Sequence, residues 1–111
     1  MKLDNIGEVI ATRKLILVRE GQPPATVEVS MGKPQETPDR LGFSCPYRIN
    51  GAGKEKIMAM AGVDAFQALQ FTLNIIGLEL ALINRDSGGK LFLEGDDSEN
   101  LDFPLPDWSK E

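Results

Sequence analysis

Cys45 is the single cysteine of the chain, and there is no histidine to activate it. That pairing rules out Ser-His and Cys-His nucleophiles, imidazole proton shuttles, zinc sites of the Cys/His type and intrachain disulfides. Cys45 lies on the apolar parity of its segment and reads as a buried, inert thiol. Gly51-Ala52-Gly53-Lys54 has the outline of a phosphate loop, but Glu55 stands where Ser or Thr should follow the lysine. A strand follows it where a helix N-terminus should receive the phosphate, so it reads as a hairpin turn. Asp96, Ser98, Asn100 and Asp102 alternate as in a calcium loop. Leu101 replaces the required glycine and Asp107 the closing glutamate, so a solvated acidic loop is the simpler reading. Carboxylate chemistry remains open, and Glu79 and Arg48 are the first residues to place in any pocket. No catalytic, cofactor or metal residue is assigned.

The 111 residues suffice for one domain, and 41% are apolar, enough for one modest core. The formal net charge is −5, which argues against nucleic acid or an anionic membrane as unaided partners. Residues 1–93 hold 11 basic and 10 acidic side chains, whereas 94–111 hold 7 acidic and 1 basic. The negative balance therefore belongs to the last segment, which also carries Leu101, Phe103, Leu105 and Trp108 between Pro104 and Pro106. No segment is apolar enough throughout to span a bilayer or serve as a signal peptide, and the chain reads as cytoplasmic.

The elements that must position these residues follow from periodicity. Residues 8–20 are apolar at both parities, as in a strand covered on both faces. Residues 25–32 alternate, with Val27, Val29 and Met31 on one side. Residues 42–50 place Phe43, Cys45, Tyr47 and Ile49 together, and Pro46 pushes this strand towards an edge or a bulge. Residues 56–61 make a fourth strand, completing an antiparallel meander. Asp64 caps a helix, Gln67 reaches back, and the helix runs to about Arg85 before Gly88-Gly89 ends it. Residues 90–94 add a short fifth strand. The predicted fold is α+β: an antiparallel four- to five-stranded sheet with one long helix of the C-terminal half on one face, then an extended acidic tail. Residues 1–93 form one domain, with 94–111 as an acidic, proline-containing C-terminal segment.

The helix shows two apolar stripes. One is Ala65, Phe66, Leu69, Leu73, Ile76, Leu80 and Ile83, suited to the sheet; the other is Phe71, Ile75, Leu78 and Leu82, spaced as a docking seam. Leaving the second in water forgoes roughly 1.5–3 kcal/mol per side chain. It therefore calls for a cover, which could be the tail, a second copy or another protein. Gly77, costly in a helix, suggests close approach of a neighbouring backbone.

Ile10-Ala11-Thr12-Arg13, Gly32-Lys33-Pro34, the run from Phe43 to Gly51, Gly62 to Leu69 and Phe103-Pro104 together carry a resemblance. Over roughly residues 8–106 the chain resembles a family of small bacterial proteins catalogued as a domain of unknown function. The resemblance implies a compact α+β domain and no activity. The expected function is that of a non-enzymatic interaction protein, in its most specific form a toxin-neutralising immunity protein. Its candidate surface is Phe71, Ile75, Leu78, Leu82, Asp96, Asp97, Glu99, Asp102 and Trp108. The partner would be a toxin or a second copy, with no cofactor. The alternative is a small-molecule binding protein or a carboxylate-based enzyme, which requires a pocket at Glu79 or Arg48.

Overall fold

The computed structural model describes residues 5–51, 53–95 and 101–104, and of Lys54 the backbone alone. Strands β1 (Val9–Arg19), β2 (Ala25–Gly32), β3 (Gln35–Glu36), β4 (Phe43–Gly51) and β5 (Lys54–Gly62) precede helix α1 (Ala65–Ser87), and β6 (Gly89–Leu93) follows it. All pairings are antiparallel: β5 with β4, β4 with β2 and β3, β2 with β1, and β1 with β6. The meander and the added strand are those expected, joined by a two-residue β3 in the segment read as a loop.

Pro46 occupies a central strand, not an edge. The β2 ladder ends at Met31–Tyr47, and the β3 ladder begins at Gln35–Ser44. On that side of β4 the proline thus falls in the gap between two ladders, while on the other side it stands opposite Ala59 of β5.

The helix termini follow local chemistry. The Asp64 carboxylate accepts from the Gln67 amide at 2.8 Å, and the Gln67 side-chain oxygen accepts from the Val63 amide at 2.8 Å. Gly88 ends the helix in the left-handed region, with φ 72°. By length and composition α1 could cross a membrane, yet Ala68, Thr72, Ile76 and Leu80 are buried in this domain. Together with Leu15, Leu17, Val27, Val29, Tyr47 and Ile49, Ile76 and Leu80 make the core.

Two expectations need correction. The helix covers one face of the sheet, so β1 is not covered on both: Leu15 and Leu17 are buried, whereas Ile10 and Val18 are exposed. The other concerns which part of α1 faces the core. Phe66, placed on the sheet-facing stripe, is 79% exposed, whereas Thr72 is fully buried. At 100° per residue, Ala68, Thr72 and Glu79 lie between the two apolar stripes. That strip faces the sheet together with Ile76 and Leu80 of the first stripe, and Phe66 lies at that stripe's outer edge.

Gly77 does permit a close approach. A Cβ there would overlap the Pro104 carbonyl and lie 3.6 Å from the Phe103 Cβ. Leu101 is buried, the Arg13 guanidinium donates to the Leu101 carbonyl at 2.9 Å, and it stands 4.8 Å from the Phe103 ring centre. Residues 101–104 are thereby fastened to the body of the domain.

Candidate functional site

The inward parity of the sheet is set by register. Leu15, Leu17 and Arg19 of β1 share the helix-facing side with Val27 of β2, Ile49 of β4 and Met58 of β5. Lys56 pairs with Ile49 and so occupies the same side. Beneath the C-terminal half of α1 these strands leave a groove of about 350 Å³. Gly51 contributes no side chain to fill it, and Leu82 and Ile83 roof it. The volume lies at the lower end of the range for small-molecule sites.

Four charged residues line this groove. Lys56 and Glu79 form an ion pair through Nζ and Oε1, the carboxylate side chain being 13% exposed. The second Glu79 oxygen, Oε2, is buried, and the carboxylate also meets the Tyr47 hydroxyl. Tyr47 is buried beside Glu79, and its phenol is pushed well above its ordinary value by desolvation first, then by its hydrogen bond to Glu79 and by the charge of that carboxylate. It is therefore a neutral hydroxyl at physiological pH. Arg19 lines the groove near the end of α1, where its Cγ would contact a Cβ on Gly89. The Arg19 Nε is a buried polar atom without a partner. Asp86, also in the groove wall, pairs with Arg85 at 3.0 Å. The arrangement offers a donor, an acceptor and an apolar floor, which is chemistry for binding.

The two residues singled out for inspection are not brought together. Glu79 faces the groove, whereas Arg48 lies on the outer face of the sheet, paired with Glu55 at 2.8 Å. There it borders a shallow polar depression with Thr12, Glu28 and Ser30, under the Asn5–Gly7 segment. Cys45 is buried, and desolvation pushes its thiol upward, as expected of an inert thiol. Gly51 and Lys54 pair across the hairpin that joins β4 and β5. Among the described residues no cluster of acidic or cysteine side chains could hold a metal ion.

The proposed interaction surface divides. Phe71 is 39% exposed; Ile75, Leu78 and Leu82 are half-buried, with Ile75 against the core and Leu82 in the groove wall. Residues 101–104 meet the helix at Gly77, on the flank away from these four. Asp102 is exposed, with a positive φ of 58°. Asp96, Asp97, Glu99 and Trp108, with Leu105, lie outside the described residues. Among the described residues the most exposed apolar side chains are elsewhere: Leu41, Val63 and Phe66.

Arg19, Lys56 and Tyr47 escaped the sequence reading as site residues. A signal existed for the two cations. Arg19 continues the parity of Leu15 and Leu17, and Lys56 that of Met58 and Met60, so each places a charge on a core-facing strand position.

A family model for a domain of unknown function (DUF6968) matches residues 11–105. No curated protein and no solved structure matches the chain.

Proposed function

The chain belongs to the DUF6968 family of domains of unknown function, and from that premise we propose that it binds a small amphipathic molecule in the groove beneath α1. One observation carries the reading. A concavity with an apolar floor is lined by Arg19, whose Nε is buried and left without a partner by the protein itself, and by the Lys56–Glu79 pair beside Tyr47. Buried polar groups are ordinarily satisfied, and each one left orphaned costs roughly 1–3 kcal/mol, so a ligand that supplies the partners has a ready source of affinity. No activated nucleophile stands in the groove, which favours a binding protein over an enzyme.

The test is a methyl-resolved NMR titration of the full chain with octan-1-ol. Shifts should concentrate on Leu82, Ile83, Leu17, Val27 and Ile49, leaving Leu101 and Ile6 unmoved. Uniform shifts, or none, would remove the groove as the site.

A second reading, a cytoplasmic interaction protein and in its specific form a toxin-neutralising immunity protein, is favoured by the exposure of Leu41, Val63, Phe66 and Phe71. Phe71 comes from the helical surface proposed for it, and the acidic residues of 94–111 would steer the encounter. Because Leu101 is buried, its test keeps the chain whole and replaces Asp96, Asp97 and Glu99 by their amides. Partner capture from the native host should weaken in this variant and in high salt. Capture indifferent to both would exclude steering.

A further inference from the structure

Strand β5 is the long free edge of the sheet. Its nine residues pair with β4 in unbroken register, from Gly51–Lys54 to Phe43–Gly62. Among the described residues nothing pairs with its other side. Edge strands are commonly blunted by proline or a bulge, and β5 has neither. Its charges are confined to the Lys54–Lys56 end, and the run that follows is Ile57-Met58-Ala59-Met60-Ala61.

An apolar seam of α1 stands over the same edge. Residues 101–104, with Arg13 of β1, hold the helix flank at Gly77. At 100° per residue Phe71, Ile75 and Leu78 lie on the other flank, and β5 and β1 lie on opposite sides of β4 and β2. The helix runs antiparallel to β5, since Gly62 abuts Ala68 and Lys56 pairs with Glu79. From Gly62 to Met58 the strand advances about 13 Å, which is about nine residues of helix. Met58 therefore stands beneath the stretch between Ile75 and Leu78, the middle of the seam.

We propose that a second copy of the chain covers both surfaces at once, its β5 antiparallel to the first about a two-fold axis at Met58. The strand is complementary to itself in that register. Lys56 stands opposite Met60 and Glu55 opposite Ala61, so no like charges meet, and inward residues face inward residues. The axis stands half a strand spacing beyond β5, and α1 lies over β5 and β4, so the two helices run antiparallel with their axes about 10 Å apart. That is a distance at which helices pack. An edge about 30 Å long beneath a helical layer offers on the order of the 800 Å² per partner that a stable dimer buries. Residues 101–104, the described part of the acidic segment, sit on the β1 flank, away from the axis.

Sedimentation velocity of the full chain across a concentration series should show a species of twice the chain mass. Phe71→Lys, at a side chain already 39% exposed, should weaken the dimer by on the order of tenfold or more, with circular dichroism verifying the fold. Met58→Cys reads the axis itself. The two thiols would stand opposite each other at a strand-pair separation of about 5 Å, so mild oxidation should link the copies. Leu41→Cys, at an exposed site outside the seam, should not link, and the buried Cys45 does not compete. A monomer at every concentration would overturn the proposal and leave the seam to another part of the chain or to a different protein. A dimer that Phe71→Lys leaves intact, or that Leu41→Cys links as readily as Met58→Cys, would overturn the β5 axis.

Discussion

Alanine at a helical glycine normally stabilises, and at Gly77 the structure calls for the reverse sign. In an unobstructed helix the exchange gains about 1 kcal/mol. Here the new Cβ would overlap the Pro104 carbonyl, a backbone atom that cannot rotate aside as a side chain would. Either α1 and residues 101–104 separate slightly, or the segment is displaced. Overpacking of this kind costs about 1–3 kcal/mol. Full release would forfeit burial of Leu101, worth about 1.5–3 kcal/mol, together with the Arg13 bond to its carbonyl. Set against the propensity gain, the net expectation is a loss of about 1–2 kcal/mol. In a domain of this size that lowers the melting temperature by about 4 °C or more per kcal/mol. Urea unfolding measures it directly, with an unchanged slope guarding against a changed denatured state. Leu101→Ala supplies the second arm. By loosening the segment it should shrink the Gly77→Ala penalty, a coupling visible in a double-mutant cycle. An increase in stability for Gly77→Ala alone would refute the reasoning, because it would mean that the segment does not press on the helix.

Asp64→Ala should cost about 1 kcal/mol through loss of the cap on the Gln67 amide; a denaturation midpoint unchanged from wild type would show that Gln67 closes the terminus without it. Tyr47 and Cys45 both hold their protons above their ordinary values of 10.0 and 9.0. The unfolded chain then releases protons first, so the stability they contribute is complete below about pH 9 and falls as pH rises, by up to about 1.4 kcal/mol per unit for each group. Tyr47→Phe should flatten the decline above pH 10, and parallel profiles for the two proteins would remove Tyr47 as its source. The Cys45 thiol should react with a thiol reagent only after unfolding, as absorbance of the released chromophore would report.

Most of the architecture was legible because it rests on local signals. Strict alternation placed Val27 and Val29 on one face of β2, and a capping pair and a left-handed glycine bounded α1 within two residues. The two-residue β3 carries no such signal, since its two ladder pairs depend on Ser44 and Phe43 arriving from elsewhere. Pro46 reads as pushing its strand to an edge or a bulge, yet it pairs with Ala59 of β5. Its place in a central strand required knowing that β2 and β3 share one side of β4 with a gap between them.

The misreading of α1 has a more general cause. Hydrophobicity marked Phe66 as core and Thr72 as a separator, but the part of a helix that comes nearest a sheet must be narrow before it is greasy. Ala68 and Thr72 are small, and the Thr72 hydroxyl donates to the Ala68 carbonyl at 2.8 Å, so its polarity is met within the helix itself. The flanks then straddle the contact, with Ile75, Leu78 and Leu82 half-buried and Phe71 still exposed. Glu79 lies on the same strip, two turns beyond Thr72, and no backbone carbonyl within the helix can satisfy a carboxylate. It takes Lys56 for one oxygen and meets the Tyr47 hydroxyl, at the point where Gly51 has already left space in the floor. The close contact of the helix and the opening of the groove thus arise from one row of residues, small at its N-terminal half and charged at its C-terminal half.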